Sequence, residues 1–122
     1  ITNFGLEDSY RLVNENIKRI KDNTCLICAT DNLAYGAIKA LEENGLSVGE
    51  DFSVAGFGDY ATSSFLKSPL TTIKFNLEDA AKKTVEMLLK IIKEEDTEVK
   101  LLIGYELKTR KSVVDLNNYN RK

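Results

Sequence analysis

Apolar side chains recur at helical spacing near the start of the chain, and compact apolar runs follow. Residues 6–20 place an apolar side chain every three or four positions, which predicts an amphipathic helix. Residues 24–29 and 52–57 are short apolar runs that are typical of core strands. Between these runs, Thr30 or Asp31 is a suitable N-cap for a second helix. The first half therefore alternates helix and strand.

The second half of the chain repeats this alternation. Residues 70–75 are rich in β-branched and aromatic side chains and predict another strand. Asn76 is expected to cap a long helix that ends near Lys93. After a charged loop, residues 101–109 predict one strand or a kinked pair that is interrupted by Gly104.

Alternating helices and strands predict an α/β fold with a largely parallel sheet flanked by helices. We expect residues 1–114 to form one domain and residues 115–122 to form a polar tail. Ligands of such sheets collect at the carboxyl ends of the strands. Asp31 and Asp59 follow two of the predicted strands, so the sequence predicts a binding site at this edge.

The composition argues against several functional classes. Apolar residues make up 43% of the chain and charged residues 30%, which is typical of a globular domain. Because the chain has no His, we expect no Ser-His-Asp catalysis and no His-ligated metal site. It also has no Gly-rich phosphate loop and no nucleophile elbow, so we do not expect an enzyme, and we expect neither a metal nor a cofactor. The net charge is −2 and the basic residues are scattered, so we do not expect this chain alone to hold DNA. No apolar run is long enough to span a membrane, and no targeting peptide is visible.

Cys25 and Cys28 have the C-x-x-C spacing of redox and zinc motifs. Two Cys without His cannot complete a structural zinc site within one chain. In a strand, positions three apart point to opposite faces, so the sulfur atoms should diverge. We therefore expect two inert, buried thiols in a core strand, which suit a reducing cytoplasm.

Four segments of the chain carry motifs in a fixed order. They are CATDNLAYGA at residues 28–37, GLSVGEDFSVAGF at 45–57, SPLTTI at 68–73 and LKTRKSV at 107–113. These segments resemble the A-N-D-x-x-A-x-G-A, G-L-x-V-P-x-D-I-S-V-x-G-[FY], P-P-L-T-T-I and L-x-x-R-x-S motifs of the LacI/GalR family of bacterial transcription regulators. The resemblance covers nearly the whole chain.

The resemblance implies the last part of a two-lobed, periplasmic-binding-protein-like effector domain. In that family, a small effector bound between the lobes changes the operator affinity of an N-terminal helix-turn-helix. We therefore expect a cytoplasmic fragment that binds a sugar and forms a homodimer, with DNA bound only through a domain absent from this chain. A secreted sugar receptor of a transporter is the alternative, and a small α/β enzyme is a third possibility.

The resemblance also implies roles for single residues. The expected effector-binding residues are Phe4, Thr30, Asp31, Gly58, Asp59 and Leu77. The expected dimer-interface residues are Tyr35, Ile38 and Leu66. Each has a structural alternative, which is packing for the apolar and aromatic side chains, helix capping for Thr30 and a turn for Asp59.

Gly58 departs from the family pattern, which often has an effector-binding Asp at this position. Either the carboxylate has moved to Asp59, or Gly58 makes room for a larger ligand.

The helix after Asn76 carries a further expectation. In the family this helix packs on the N-terminal lobe, which is mostly absent from this chain. Its apolar face would then lack a partner, and that face consists of Leu77, Ala81, Val85, Leu88 and Ile92. We expect either that a second copy covers this face or that the helix packs differently.

Overall fold

The computed structural model describes residues 5–97 and 100–115. A four-stranded sheet in the order β1-β2-β3-β4 organises the described residues. The strands are β1 (Cys25–Ile27), β2 (Ser53–Phe57), β3 (Thr71–Phe75) and β4 (Tyr105–Lys108). The first three are parallel, and β4 runs antiparallel to β3. The predicted α/β class with a largely parallel, helix-flanked sheet is confirmed.

The described residues form four α-helices and one short 3-10 helix. They are α1 (Leu6–Glu15), α2 (Ile17–Ile20), α3 (Asp31–Glu43), α4 (Leu77–Ile92) and the 3-10 helix Ala61–Ser64. The single helix predicted over residues 6–20 is wrong, because the helix breaks at Asn16. The Asn16 side-chain amide donates to the Leu12 carbonyl at 2.9 Å, a local bond that competes with helix continuation.

Helices α1 and α3 cross closely and cover the β1–β2 end of the sheet. A Cβ at Gly36 would lie 2.0 Å from the Leu6 carbonyl oxygen, so only glycine lets the two backbones meet here. At the same crossing, the Ser9 hydroxyl donates to the Leu33 carbonyl at 2.8 Å. Of the two candidate N-caps, Thr30 caps α3, because its Oγ1 accepts a hydrogen bond from the amide of Leu33. The core residues are Val13, Cys28, Leu33, Ala34, Ala37, Ile38, Ala40, Leu41, Val48, Phe52, Val54 and Leu70.

The last described segment closes the gap between β2 and β3 at their amino ends. The hydroxyl of the fully buried Ser112 donates to the Val54 carbonyl at 2.6 Å and accepts the Thr71 amide at 2.8 Å. The Ser112 backbone also pairs with the Val54 amide and the Pro69 carbonyl. One serine therefore joins two strands where they are not paired to each other.

Helix α4 differs from the other long helices because none of its residues is buried. Its exposed large apolar side chains are Leu77, Val85, Leu88, Leu89, Ile91 and Ile92. Leu101 and Ile103 lie along part of its surface. Apart from this contact the face is exposed in the described residues, and its coverage by a second copy or by a different packing of the helix stays a prediction.

Three sequence expectations concern residues at the margins of the fold. Phe4 and residues 116–122 of the predicted tail lie outside the described residues, and Asp115 is exposed. The expected burial of both thiols is wrong for Cys25, which is exposed on a three-residue strand at the edge of the sheet. Cys28 is buried, and burial raises the pKa of its thiol to about 12, with smaller contributions from Cys25 and Asp31.

Candidate ligand cleft

A cleft of about 630 Å³ opens where β2 and β3 end and β4 begins. The carboxyl ends of parallel strands meet at one edge of a sheet, which explains its position. Its lining residues are Gly58, Asp59, Lys74, Phe75, Asn76, Leu77, Glu78, Gly104, Tyr105 and Glu106. Two aromatic rings thus share the cleft with charged groups of both signs, which suits a small polar ligand that also has an apolar face.

Three of the predicted effector-binding residues line this cleft together. Gly58 and Asp59 come from the turn after β2, and Leu77 comes from the first turn of α4. The Leu77 side chain is 68% exposed, so it is available to a ligand or to another surface. Their effector-binding roles stay predictions, but their common location is a result of the fold.

Thr30 and Asp31 do not line the cleft. The Thr30 hydroxyl is used as the cap of α3. Asp31 is fully buried, and both of its carboxylate oxygens are bonded within the protein. The expected contact between Asp31 and a ligand is therefore contradicted, because neither oxygen is accessible.

The three donors to Asp31 come from distant parts of the chain. Thr72 Oγ1 donates to Oδ1 at 2.6 Å, while Ser63 Oγ and the Tyr60 amide donate to Oδ2 at 2.5 and 3.1 Å. Asp31 also occupies the first turn of α3, where the helix dipole favours a negative charge. A buried carboxylate is stable under these conditions.

Asp59 forms an ion pair at the rim of the cleft. Its Oδ1 accepts from the Arg110 guanidinium at 2.5 Å, and its side chain is only 11% exposed. Arg110 also donates to the Leu70 carbonyl at 2.8 Å, so one guanidinium joins the cleft to the start of β3. Asp59 and Gly58 both adopt positive φ, at 51° and 131°. The neighbouring cation therefore already partly neutralises the carboxylate that the sequence assigned to the effector.

The predicted dimer-interface residues lie in different environments. Ile38 is only 5% exposed and belongs to the core, so it offers little surface to a partner, and its predicted role at the interface is untested. Tyr35 and Leu66 are half-buried and pack against the core. Their dimer-interface roles stay predictions.

Sequence reasoning did not single out Arg110, Ser112 or Tyr105. Arg110 and Ser112 belong to the L-x-x-R-x-S motif, and their spacing was the available signal. Their partners lie 51 and 58 residues earlier, so the sequence could not identify those contacts. Tyr105 brings an exposed ring to the cleft, but an isolated aromatic residue in an uncertain strand gave no signal.

Two kinds of feature are absent from the described residues 5–97 and 100–115. Nowhere in these ranges do three Cys, Asp or Glu side chains come together in a way that could hold a metal ion. Within the same ranges, every helix is too short or too polar to cross a bilayer.

An α/β lobe with a ligand-sized cleft at the carboxyl edge of its sheet is the architecture of one lobe of a two-lobed ligand-binding protein. The model of the periplasmic binding protein-like domain matches residues 4–113, and the chain belongs to this family. Its relatives are LacI-type transcription regulators, so the LacI/GalR resemblance is confirmed.

Curated relatives match most of this chain but only part of their own length. The chain is 37% identical to the transcriptional repressor PurR of Histophilus somni over 93% of its residues. It is 30% identical to the regulator GanR of Bacillus subtilis over 90% of its residues. Each match covers 34% of the relative, so the chain spans about a third of these proteins.

Solved structures of the same type share the fold. A Lac repressor dimer bound to operator and the anti-inducer ONPF superposes with a TM-score of 0.84 at 29% identity, covering 91% of this chain and 39% of that one. A LacI family regulator from Enterococcus faecium with bound ribose gives 0.81 at 27% identity, covering 94% and 43%.

Proposed function

We propose that this chain is the carboxyl-terminal effector-binding and dimerisation part of a LacI-type transcription regulator. The observation that carries this proposal is the cleft at the carboxyl edge of the sheet, which Asp59 and Leu77 line and which is open to solvent. A second lobe would close the cleft, and an effector between the lobes would favour one arrangement of them. That preference would change the DNA affinity of a separate domain by linkage.

The lining of the cleft supports a sugar as the effector class. Sugar C–H faces pack on aromatic planes, which Phe75 and Tyr105 offer, while Lys74, Glu78 and Glu106 can bond to hydroxyl groups. The Enterococcus faecium relative was solved with ribose. Planar purine bases also stack on aromatic rings, so they are the competing ligand class.

We further propose that the protein binds its effector without transforming it. Both strand-end aspartates are committed to protein groups, Asp31 to three donors and Asp59 to Arg110. The proposed location is the cytoplasm, where DNA is available, and the proposed assembly is a homodimer through Tyr35 and Leu66. A transporter receptor is not favoured, because the relatives with the highest similarity reported above are transcription regulators.

Titration calorimetry of the complete protein that contains this chain tests the proposal. The panel would include D-ribose, D-galactose, maltose, hypoxanthine and guanine. Tyr105→Ala should weaken binding of the active compound by about tenfold, because the variant loses the contact area of the ring and the roughly 0.5–1.5 kcal/mol that aromatic stacking adds to it. Leu102→Ala is the matched control, since Leu102 is exposed nearby but does not line the cleft.

The outcomes separate the alternatives. Binding of a sugar that Tyr105→Ala weakens and Leu102→Ala leaves intact supports the proposal. Binding of a purine base alone would retain the regulator but replace the sugar. Binding that is equally strong in both variants would place the effector elsewhere and overturn the site.

A further inference from the structure

We propose that Asp31 is a positioning residue of the ligand cleft, and that Ser63 extends its action to Tyr35 on α3. The inference rests on the proposed function, because it concerns the shape of the same cleft. It assigns a role to the buried carboxylate, which the ligand cannot reach. It also connects the cleft with the half-buried Tyr35 of α3, which is a predicted dimer-interface residue.

The first step concerns the turn that carries Gly58 and Asp59. Two successive residues have positive φ, and a non-glycine residue in this region costs about 1–2 kcal/mol. Such a conformation persists only when surrounding bonds hold it. The Tyr60 amide donates to Asp31 Oδ2 at 3.1 Å, and the Asp59 amide donates to Thr72 Oγ1 at 3.4 Å.

The second step concerns the direction of these bonds. Thr72 has one hydroxyl proton, which it donates to Asp31 Oδ1 at 2.6 Å. The Asp31 carboxylate therefore fixes the orientation of the Thr72 hydroxyl, so that a lone pair of Thr72 Oγ1 faces the Asp59 amide. In this way Asp31 acts on two neighbouring amides of the turn, directly at Tyr60 and through Thr72 at Asp59.

The third step shows that the fold reserves space for this carboxylate. A Cβ at Gly56 would lie 2.4 Å from Asp31 Oδ1. Gly56 sits on β2, two residues before the turn, so any side chain there would displace the carboxylate. None of the ion pairs among the described residues includes Asp31, so its environment consists of these hydrogen bonds and the amino end of α3.

The fourth step extends the chain of bonds to α3. Ser63 Oγ donates its proton to Asp31 Oδ2 at 2.5 Å. Its contact with Tyr35 at 2.7 Å must then use the phenolic proton, so Tyr35 donates to Ser63. Tyr35, Ser63 and Asp31 thus form a directed hydrogen-bond chain that ends at the turn. A displacement of the Tyr35 ring would change the bond that Ser63 offers to the carboxylate.

Amide hydrogen exchange tests the positioning role without any ligand. Asp31→Asn keeps the shape but replaces one acceptor oxygen by a donor, so either Thr72 or the Ser63–Tyr60 pair loses its acceptor. Exchange at the Asp59 and Tyr60 amides should rise by about tenfold, as expected for the loss of a hydrogen bond to a charged group. The exchange rates of the β1 amides should stay within about twofold of the wild-type rates, because local opening of the turn does not involve β1.

A second pair of variants covers the case in which Asp31→Asn does not fold. Thr72→Val removes the hydroxyl at constant shape and should also raise exchange at Asp59 and Tyr60. Thr72→Ser restores the hydroxyl and should restore protection. If Thr72→Val leaves the turn as protected as in the wild type, the positioning role is refuted.

The connection to α3 has its own matched pair. Tyr35→Phe removes the hydroxyl that donates to Ser63, whereas Tyr10→Phe removes one that donates to Glu43 at 2.5 Å, away from the cleft. Only Tyr35→Phe should raise exchange at the turn, and by less than Asp31→Asn does. In the double variant, Tyr35→Phe should add nothing to Asp31→Asn, since both act through one chain of bonds. Equal effects of Tyr35→Phe and Tyr10→Phe would overturn the connection.

The same variants are then titrated with the compound from the panel that binds most tightly. Variants with a loosened turn should bind this compound about threefold to tenfold more weakly than the wild type. The variant with the largest rise in amide exchange should also show the largest loss of affinity. If no compound binds even the wild type, the effector proposal fails, while the exchange results still decide the positioning role. If exchange rises but affinity does not change, Asp31 holds the turn without shaping the ligand site, and this inference is wrong.

Discussion

Replacing Ser112 by alanine should destabilise the protein much more than the loss of a typical hydroxyl. Ser112 is fully buried between β2 and β3. Its Oγ donates to the Val54 carbonyl at 2.6 Å and accepts the Thr71 amide at 2.8 Å. Truncation removes both bonds at once and leaves two backbone groups of buried strands without these partners.

The size of the effect follows from those two groups. A buried donor or acceptor that loses its partner costs about 1–3 kcal/mol, so the pair gives about 2–6 kcal/mol. The Ser112 backbone still bonds to Val54 and Pro69, so the segment should stay in place and keep water out. We therefore expect a loss of about 3 kcal/mol, a large part of the 5–15 kcal/mol typical of a domain.

Urea denaturation followed by circular dichroism measures this loss. With a slope of about 1.5 kcal/mol/M, the midpoint should fall by about 2 M. Ser64→Ala is the matched control, because the exposed Ser64 hydroxyl bonds only to the Ala61 carbonyl and should contribute less than about 0.5 kcal/mol. If the two variants have midpoints within about 0.3 M of each other, the role assigned to Ser112 is wrong.

Three further predictions concern packing, the ion pair and a thiol. Gly36→Ala should lower the free energy of unfolding by about 1–3 kcal/mol or more in urea titrations, whereas Gly104→Ala, with open space around it, should change it little. Arg110→Lys should not preserve wild-type stability in the same assay, because one ammonium cannot replace the two guanidinium nitrogens that reach Asp59 and Leu70. Burial raises the pKa of the Cys28 thiol from 9.0 to about 12. The contribution of the neutral thiol to the free energy of unfolding is therefore intact below pH 9.0 and is lost as the pH rises towards 12. The stability difference between wild type and Cys28→Ala should therefore shrink between about pH 9 and about pH 12, by at most about 4 kcal/mol.

The parts of the fold that depend on local signals were predictable. The cap at Thr30, the alternation of strands and helices, and the start of α4 at Asn76 all follow from neighbouring residues. The break at Asn16 depends on one hydrogen bond of its side chain, which the spacing of apolar residues cannot predict. The exposure of Cys25 depends on the place of its strand at the sheet edge, which hydrophobicity alone does not determine.

The candidate site was predictable in position but not in chemistry. Strand ends and family motifs correctly brought Gly58, Asp59 and Leu77 to one cleft. They also assigned Asp31 to the ligand, whereas its donors Thr72 and Ser63, 41 and 32 residues away, keep it inside the protein. A carboxylate at a strand end has the same local sequence whether it faces a ligand or a buried hydroxyl, so only the tertiary contacts distinguish the two.

Leu77 belongs both to the open cleft and to the exposed apolar face of α4. It lines the cleft and is also the first residue of the helix, where it is 68% exposed. Any body that covers the apolar face of α4 must therefore approach the wall of the cleft as well. If a ligand favours one position of Leu77 and the covering body contacts Leu77, the two would be coupled, and by linkage each would change the affinity for the other by the same factor. In the proposed regulator, effector binding would therefore depend on how α4 is packed.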